Sequence, residues 1–344
     1  MEGKYFASSN SYKGFYSLFD RIFDSKNFDD VMVLKGGPGT GKSTIMKRFS
    51  QFIEQCEGRV RHYHCSSDTS SLDGVTADLN DKKIAMIDGT APHQRDAIYV
   101  GAVDEIINLG ESVNREWISK HREAVISLSQ QKTEAYKAAY SYLRVAGKCY
   151  EEIYSKRASA LRKESALQYI KHFDFQTFQE GTRHQKTFIS SFSKDGYKSF
   201  DIPSTLYKDT TKIGGDSQNI DILLRLVQEN TDLEFSHIFP SPLTPHIPEA
   251  LITSDRLIIK TDGDQYDISA DEFFNNSKVD SEEIRFMEKT RGELVCEATR
   301  WLKIASDIHF RLEEIYSECM NFENNDMIFD KICKNVLKVC DCKP

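Results

Sequence analysis

The chain has 344 residues, 39% of them hydrophobic, and its 45 Lys and Arg face 53 Asp and Glu for a formal net charge of −8. At about 100–200 residues per domain this length implies two domains, and the acidic total argues against a protein that coats nucleic acid. No run reaches the ~18 apolar residues of a membrane span, and Met1-Glu2-Gly3-Lys4 leads into mixed polar sequence without a signal-peptide core, so a cytoplasmic protein with no membrane contact is expected.

The charge is unevenly spread. Residues 1–165 carry 24 basic and 22 acidic side chains, a balance of +2, and residues 166–344 carry 21 and 31, a balance of −10. A bound anion is therefore expected in the first half. The eight cysteines are scattered over a long chain, which reads as reduced thiols rather than a disulfide framework. The tail, Cys333 with Cys340-Asp341-Cys342, offers one close cysteine pair where a tetrahedral metal site usually takes two.

Val31-Met32-Val33-Leu34-Lys35 is an apolar, partly β-branched run of the kind that makes a buried strand. Gly36-Gly37-Pro38-Gly39-Thr40-Gly41-Lys42-Ser43-Thr44 follows and fits the phosphate-loop pattern G-x-x-x-x-G-K-[ST]. Ile45, Met46, Phe49, Phe52 and Ile53 then recur at helical spacing. The chemistry accounts for each residue type. Glycines let backbone N–H groups close on phosphate oxygens at a helix N-terminus. Lys42 would reach the β- and γ-phosphates, Ser43 would ligate Mg²⁺ through its hydroxyl, and Thr44 would lie near the α-phosphate.

Such a site also needs an acid at the end of a neighbouring strand to hold the metal. Lys83-Ile84-Ala85-Met86-Ile87-Asp88 is a buried strand ending in a carboxylate, so Asp88 is the first choice. The alternating run Val60–Cys65 delivers Asp68 to the same sheet edge, as a second metal ligand or an orienter of water. Gly89 stands where many ATPases carry a catalytic glutamate, which leaves Asp68, Thr90, His93 and Arg95 as the groups expected near the γ-phosphate, with Asp68 or His93 to position water. The guanine-reading N-K-x-D is absent; Ser277-Lys278-Val279-Asp280 only approaches it, so ATP is the expected nucleotide.

The chain also repeats itself. Lys4–Ser17 runs alongside Lys186–Ser199, Leu143–Ala146 alongside Leu302–Ala305, and Glu151-Glu152-Ile153-Tyr154-Ser155 returns whole as Glu313-Glu314-Ile315-Tyr316-Ser317. A second phosphate loop should then lie near residues 205–225. Ile213-Gly214-Gly215-Asp216-Ser217-Gln218-Asn219-Ile220 keeps two glycines there but places Asn219 and Ile220 where Lys42 and Ser43 would fall, so it reads as a pseudo-site. The expected fold is α/β, two tandem three-layer α/β/α units of the P-loop NTPase type: residues 1–165 with a helical arm at 115–163, and a degenerate copy at 166–344 with an arm at 281–318.

The first arm carries 11 basic and 5 acidic residues, the second 6 and 9. Opposite balances suggest that the arms pack together as an intramolecular pseudo-dimer, or that the basic arm closes over phosphates as a lid. Pro240-Ser241-Pro242-Leu243-Thr244-Pro245-His246-Ile247-Pro248 holds four of the eight prolines and reads as a rigid extended loop, across the first site or against a partner protein.

With these residues in place, the chain resembles a family of bacterial cytoplasmic P-loop ATPases. The likeness rests on Lys13–Ser17, the Gly36–Thr44 loop, Cys65-Ser66-Ser67-Asp68 with Leu72-Asp73-Gly74-Val75, Asp88–His93, Gly101–Gly110 and, more thinly, Pro240–Pro248. It implies tandem P-loop domains that bind ATP, and it supplies no substrate. The second copy often keeps its own phosphate loop in that family, and this chain departs there. The leading expectation is Mg²⁺-dependent ATP hydrolysis at one site. A small-molecule kinase with residues 115–163 as its lid, or a non-hydrolysing nucleotide sensor, are the alternatives.

Overall fold

The computed structural model describes residues 3–92, 94–172, 185–202, 207–230, 237–253 and 256–340. The first half contains β1 (Gly3–Phe6), a hairpin of β2 (Ser8–Ser11) and β3 (Gly14–Ser17), α1 (Phe19–Ile22), β4 (Asp30–Lys35), α2 (Lys42–Gln55), β5 (Arg59–His64), β6 (Leu72–Leu79), β7 (Lys82–Asp88) and β8 (Asp104–Asn108). The helices α3 (Arg115–Lys120), α4 (Arg122–Ser159) and α5 (Lys163–His172) follow. The second half runs through β9 (Gln185–Lys186), a hairpin of β10 (Ser190–Ser193) and β11 (Gly196–Ser199), β12 (Asp209–Gly214), α6 (Ser217–Asn230), β13 (His237–Pro240), β14 (Pro248–Ile252), β15 (Arg256–Lys260) and β16 (Ile268–Ser269). It closes with α7 (Ser281–Ser317) and α8 (Phe322–Val339).

The protein is a mixed α/β structure with two six-stranded sheets, ordered β1-β5-β6-β7-β4-β8 and β16-β12-β15-β14-β13-β9. Read from β8 and from β16, the two orders correspond strand for strand. The antiparallel pairs correspond as well: β6 with β5 and β7, and β14 with β13 and β15, while the other neighbours are parallel.

Successive residues of a strand point to opposite faces, so a strand buried on both faces needs an apolar cover on each. On β4 and β7, Met32, Leu34, Ile84 and Met86 meet Ile45, Met46, Phe49 and Ile53 of α2. Val31, Val33, Ala85 and Ile87 point the other way, into a cluster shared with Phe239, Ala250, Ile252 and Leu257 of the second sheet. The order of layers is helix, sheet, sheet, helix, which corrects the expected pair of three-layer α/β/α units. Each sheet covers the face that a second layer of helices would have covered. An apolar strand face is the same sequence whichever cover it receives.

The division at residue 165/166 separates the sheets but not their cores. On α8, Phe329, Ile332 and Val336 belong to the core of the first sheet, and the Arg48 guanidinium lies 4.2 Å over the Phe329 ring. At the end of α4, Ala160 belongs to the core of the second sheet with Ile213, Leu223 and Ile258, and Tyr154, Ala158 and Leu161 pack against it. Paired backbone bonds fix both crossings. Asn114 N donates to Cys319 O and Asn321 N to Ser112 O, each at 2.8 Å; Arg162 N donates to Phe273 O at 2.8 Å and Asn275 N to Ala160 O at 2.9 Å.

Two further contacts join the halves. The arms α4 and α7 lie side by side through Ala139, Leu143, Tyr150, Ala298 and Leu302. Among the described residues one ion pair links these arms, Lys156 Nζ to Glu283 Oε2 at 3.0 Å. An exposed pair contributes about 0–1 kcal/mol and each buried large apolar side chain about 1.5–3 kcal/mol, so apolar burial rather than opposite charge holds the arms together. At the hairpins, Phe6 and Phe188 exchange backbone hydrogen bonds of 2.8 and 3.0 Å, Ser9 Oγ lies 3.3 Å from Ser191 Oγ, and Asn10 Nδ2 donates to Phe192 O at 2.7 Å. The proline-rich loop follows β13 and packs Leu243 and Ile247 against the arms, with Leu243 O accepting from Tyr12 N at 3.1 Å, so it does not cross the first half's glycine loop. The seven described cysteines are free thiols; Cys342 lies outside the described residues. Among the described residues no helix is long and apolar enough to cross a membrane.

Ile332→Ala on α8 is expected to lower stability in urea unfolding by about 2–5 kcal/mol although its sheet lies in the other half of the chain; a change below about 0.5 kcal/mol, the size of an ordinary surface substitution, would contradict the exchanged packing. His237 supplies a second prediction. It is buried between Tyr5 and Phe239, with its Nε2 2.6 Å from Thr187 Oγ1, and burial above all, with Arg61 and Arg21 adding, lowers its pKa to about 3. The unfolded chain takes up this proton near pH 6.5, so the contribution is intact above that pH and is lost as pH falls from 6.5 towards 3. Over that window stability should drop by about 1.4 kcal/mol per pH unit for this group, and His237→Gln should flatten the slope in pH-dependent unfolding.

Candidate functional site

The site begins where β4 ends. Leu34 pairs with Asp88 of β7 on one side, and Lys35 pairs with Asn108 of β8 on the other, so the Gly36–Gly41 loop leaves the sheet between two parallel neighbours. Gly39 has φ +69° and Gly41, which precedes α2, has φ +89°, a region that side chains with a Cβ rarely adopt. Thr40 is fully buried and its hydroxyl donates to Gly37 O at 2.8 Å. The Lys42 ammonium is folded into the loop, donating to Gly36 O and Gly37 O at 2.9 Å each, and it stands 3.7 Å from Asp88 Oδ2.

Asp88 is held from the other side by Thr90, whose backbone N donates to Oδ1 at 2.8 Å and whose hydroxyl also donates to Oδ1. Burial raises its pKa; Lys42 and Thr90 oppose the rise and Asp73 adds to it. Asp73, a buried residue at the start of β6, is thus a second carboxylate close enough for its charge to act on Asp88. Leu72-Asp73-Gly74-Val75 is part of the family resemblance, but nothing local assigns Asp73 a role, because it meets Asp88 only through the pairing of β6 with β7. Ser43 Oγ accepts from Leu72 N at 3.0 Å, which ties the start of α2 to the start of β6. A serine hydroxyl, the buried Asp73 and the partly buried Asp88 are hard oxygen donors of the kind that suit Mg²⁺. Among the described residues no three His, Cys, Asp or Glu side chains group as a metal site.

The second half covers the loop. A Cβ at Gly37 would stand 2.8 Å from the Tyr316 ring, and one at Gly39 would stand 2.5 Å from the Glu313 carbonyl oxygen, both near the end of α7. Asn325 of α8 is buried and donates from Nδ2 to Thr40 O at 3.0 Å. From α4, Tyr136 donates to Ser67 Oγ at 3.1 Å, and Lys132 is close enough to Lys42 for the two ammonium groups to act on each other. The arm at 281–318 and its repeated blocks Leu302–Ala305 and Glu313–Ser317 pointed to α7 in the sequence, though not to where α7 would dock.

Other expected residues lie elsewhere. The Asp68 carboxylate binds Lys194 Nζ of the second hairpin at 2.7 Å and accepts from Ser70 N at 3.0 Å. Burial alone would raise its pKa, and the Lys194 and Ser70 bonds outweigh this and lower it. It therefore clamps the two halves together. Arg95 is buried with its guanidinium on Phe23 O and on Ser25 Oγ at 2.7 Å, directed away from the loop. His93 lies outside the described residues. Asp280 caps α7, accepting from Glu282 N at 2.9 Å and Glu283 N at 3.1 Å, so Ser277–Asp280 is a helix start rather than a base reader.

The corresponding place in the second sheet has different chemistry. Only Gly215 and Asp216 separate β12 from α6. The Asp271 carboxylate sits on that turn, with Oδ1 accepting from Asp216 N at 3.0 Å and Asn219 Nδ2 at 2.8 Å, and Arg157 from the end of α4 binds Asp216 at 2.7 Å. Ile213 pairs with Lys260 as Leu34 pairs with Asp88, so a lysine stands where the first sheet has its acid. The Lys260 ammonium lies 3.2 Å from Glu249 and 3.7 Å from Asp221; burial alone would lower its pKa, and these two carboxylates outweigh it and raise it.

Comparison with protein-family models, curated proteins and solved structures gave no match.

Gly37→Ala is expected to displace the Tyr316 ring, and Tyr316→Ala should relieve that clash, so the double variant should recover stability relative to Gly37→Ala. Gly39→Ala meets backbone and needs φ +69°, so Tyr316→Ala should not rescue it. Additive losses for Gly37→Ala and Tyr316→Ala in thermal unfolding would contradict this docking.

Proposed function

We propose that the chain is an ATP-binding P-loop protein that hydrolyses ATP with Mg²⁺ at a single site in its first half. In this reading the two halves are duplicated copies packed as an intramolecular pseudo-dimer, and the second copy is a pseudo-site. The observation that carries the reading is Lys42 folded into a glycine loop between parallel strands, 3.7 Å from an acid at the end of the neighbouring strand. The resemblance to tandem P-loop ATPases agrees with it. The common strand order and the reciprocal contacts at Phe6 with Phe188 and Ser9 with Ser191 support the duplication. Asp271 on the second turn and Lys260 at the strand end support the loss of the second site, because internal charges take the positions of phosphate and metal.

The residues of the first half then divide the work. The N–H groups of Gly36, Gly37 and Gly39 to Thr44 bind phosphate oxygens at the start of α2, with Pro38 shaping the loop. Lys42 exchanges the Gly36 and Gly37 carbonyls for the phosphates and offsets charge on the terminal one. Ser43 and Asp88 would hold Mg²⁺, which neutralises and polarises the phosphates when bound. Thr90 fixes Asp88, and Asp73 replaces Asp68 as the second carboxylate of the site. Hydrolysis is favoured over transfer to an acceptor because α4 is fastened along α7 instead of hinged as a lid.

Purified protein should turn over ATP in Mg²⁺, and Lys42→Ala and Asp88→Asn should each lower the rate about 100-fold or more, as loss of a charge-stabilising group does. Chelation with EDTA should abolish turnover. Equal rates in the wild-type chain and Lys42→Ala would remove the proposal.

A further inference from the structure

Lys132 is a half-buried residue in the first third of α4, and among the described residues no carboxylate oxygen lies within 4 Å of its ammonium. Its polar neighbour is His309 on α7, with Nζ to Nδ1 at 3.4 Å; His309 Nε2 in turn lies 3.4 Å from Glu313 Oε1. If Nδ1 accepts from lysine, the ring carries its proton on Nε2 and offers it to Glu313. The backbone of Glu313 lies against Gly39. Lys132 is thereby tied through His309 to Glu313, the residue whose backbone abuts the glycine loop.

The electrostatics point the same way. Burial holds the Lys132 pKa below the ordinary lysine value, Lys42 pushes it further down, and Glu313 and Cys65 oppose them. Cys65 follows β5 and Lys42 follows β4, so Lys132 faces the carboxyl ends of the strands, the edge at which open α/β sheets bind ligands. Two ammonium groups that repel one another in a poorly hydrated space are both stabilised by an anion between them. Lys42 opens α2 directly after the loop and would take the inner side of such an anion, and Lys132 comes from α4 and would take its far end.

We propose that Lys132 is the second cation of the nucleotide site, bound to the terminal phosphate from α4 and positioned by His309 and Glu313 of the second half. The proposal rests on the nucleotide reading above. It makes the helical arms sensitive to the terminal phosphate: a triphosphate engages α4 and, through His309, α7, whereas a diphosphate leaves Lys132 without its partner.

The test is calorimetric titration of the full chain in Mg²⁺ with ADP and with the non-hydrolysable β,γ-imido analogue of ATP. Lys132→Met should weaken the triphosphate analogue about tenfold or more, the effect of losing one charge-assisted contact, and leave ADP within about twofold. Lys132→Arg should restore the preference, and His309→Ala should reduce it in the same direction. If Met at position 132 disturbs folding, Lys132→Gln carries the same comparison. Binding of both nucleotides by the wild-type chain, with an unchanged ratio in the variant or an equal loss for both, would overturn the role of Lys132 and leave nucleotide binding standing. Failure of the wild-type chain to bind either nucleotide would remove the nucleotide reading and this assignment together.

Discussion

The seam between α4 and α7 is the constraint on which the other arrangements depend. Helices of 38 and 37 residues extend about 55 Å at 1.5 Å per residue, further than either sheet can cover, and most of their stability must come from tertiary packing of an apolar stripe. Ala139 and Leu143 on one helix and Ala298 and Leu302 on the other supply that stripe. The small residues let the backbones approach, and the large ones fill the space between. Once the helices are fixed side by side, their far ends are delivered to opposite halves: Arg157 to the turn before α6, and Glu313 and Tyr316 to the glycine loop before α2. The exchange of α8 and of the residues that end α4 follows, because each lies where its arm meets the sheet of the other half.

The two loops show how the same backbone plan can carry opposite chemistry. In the first half a lysine from the loop faces an acid at the strand end, and the glycine conformations keep backbone N–H groups available at the start of α2. In the second half the lysine is at the strand end and is held by Glu249 and Asp221, with Tyr150 donating to Asp221 at 2.6 Å. There the half-buried ammonium stands between the buried Glu249 and Asp221 carboxylates, and Asp271 accepts from the helix start. Leaving buried charges unpaired is costly, and in this half each of these carboxylates has a cation beside it or donors on it.

Much of the first site was legible because it is local. Strand, glycine loop and helix occupy Asp30–Lys35, Gly36–Gly41 and Lys42–Gln55, where the periodicity and the loop pattern placed them, since glycine freedom and apolar spacing act over a few residues. Asp88 was legible for the same reason: a run of buried apolar residues that ends in an acid marks a strand end. The two arms were legible from long helical periodicity, with a break at His121 and another after Ser159. The short second turn was legible only as a loss of lysine and hydroxyl, and neither Asp271 nor Lys260 could be assigned to it from residues so far apart.

The sequence by itself determined the strand, glycine loop and helix of residues 30–55, the strand that ends at Asp88, the two long helical arms, and that two stretches of the chain are alike, because each is written in neighbouring residues or in direct comparison of them. Only the tertiary structure decided what covers each sheet face, that Asp68 clamps Lys194 while Asp73 joins Asp88, and that α7 and α8 of one half finish the site of the other. An apolar face specifies burial without naming its cover, and a charge specifies a need for a partner without naming it. Those choices are made by the packing of elements more than a hundred residues apart.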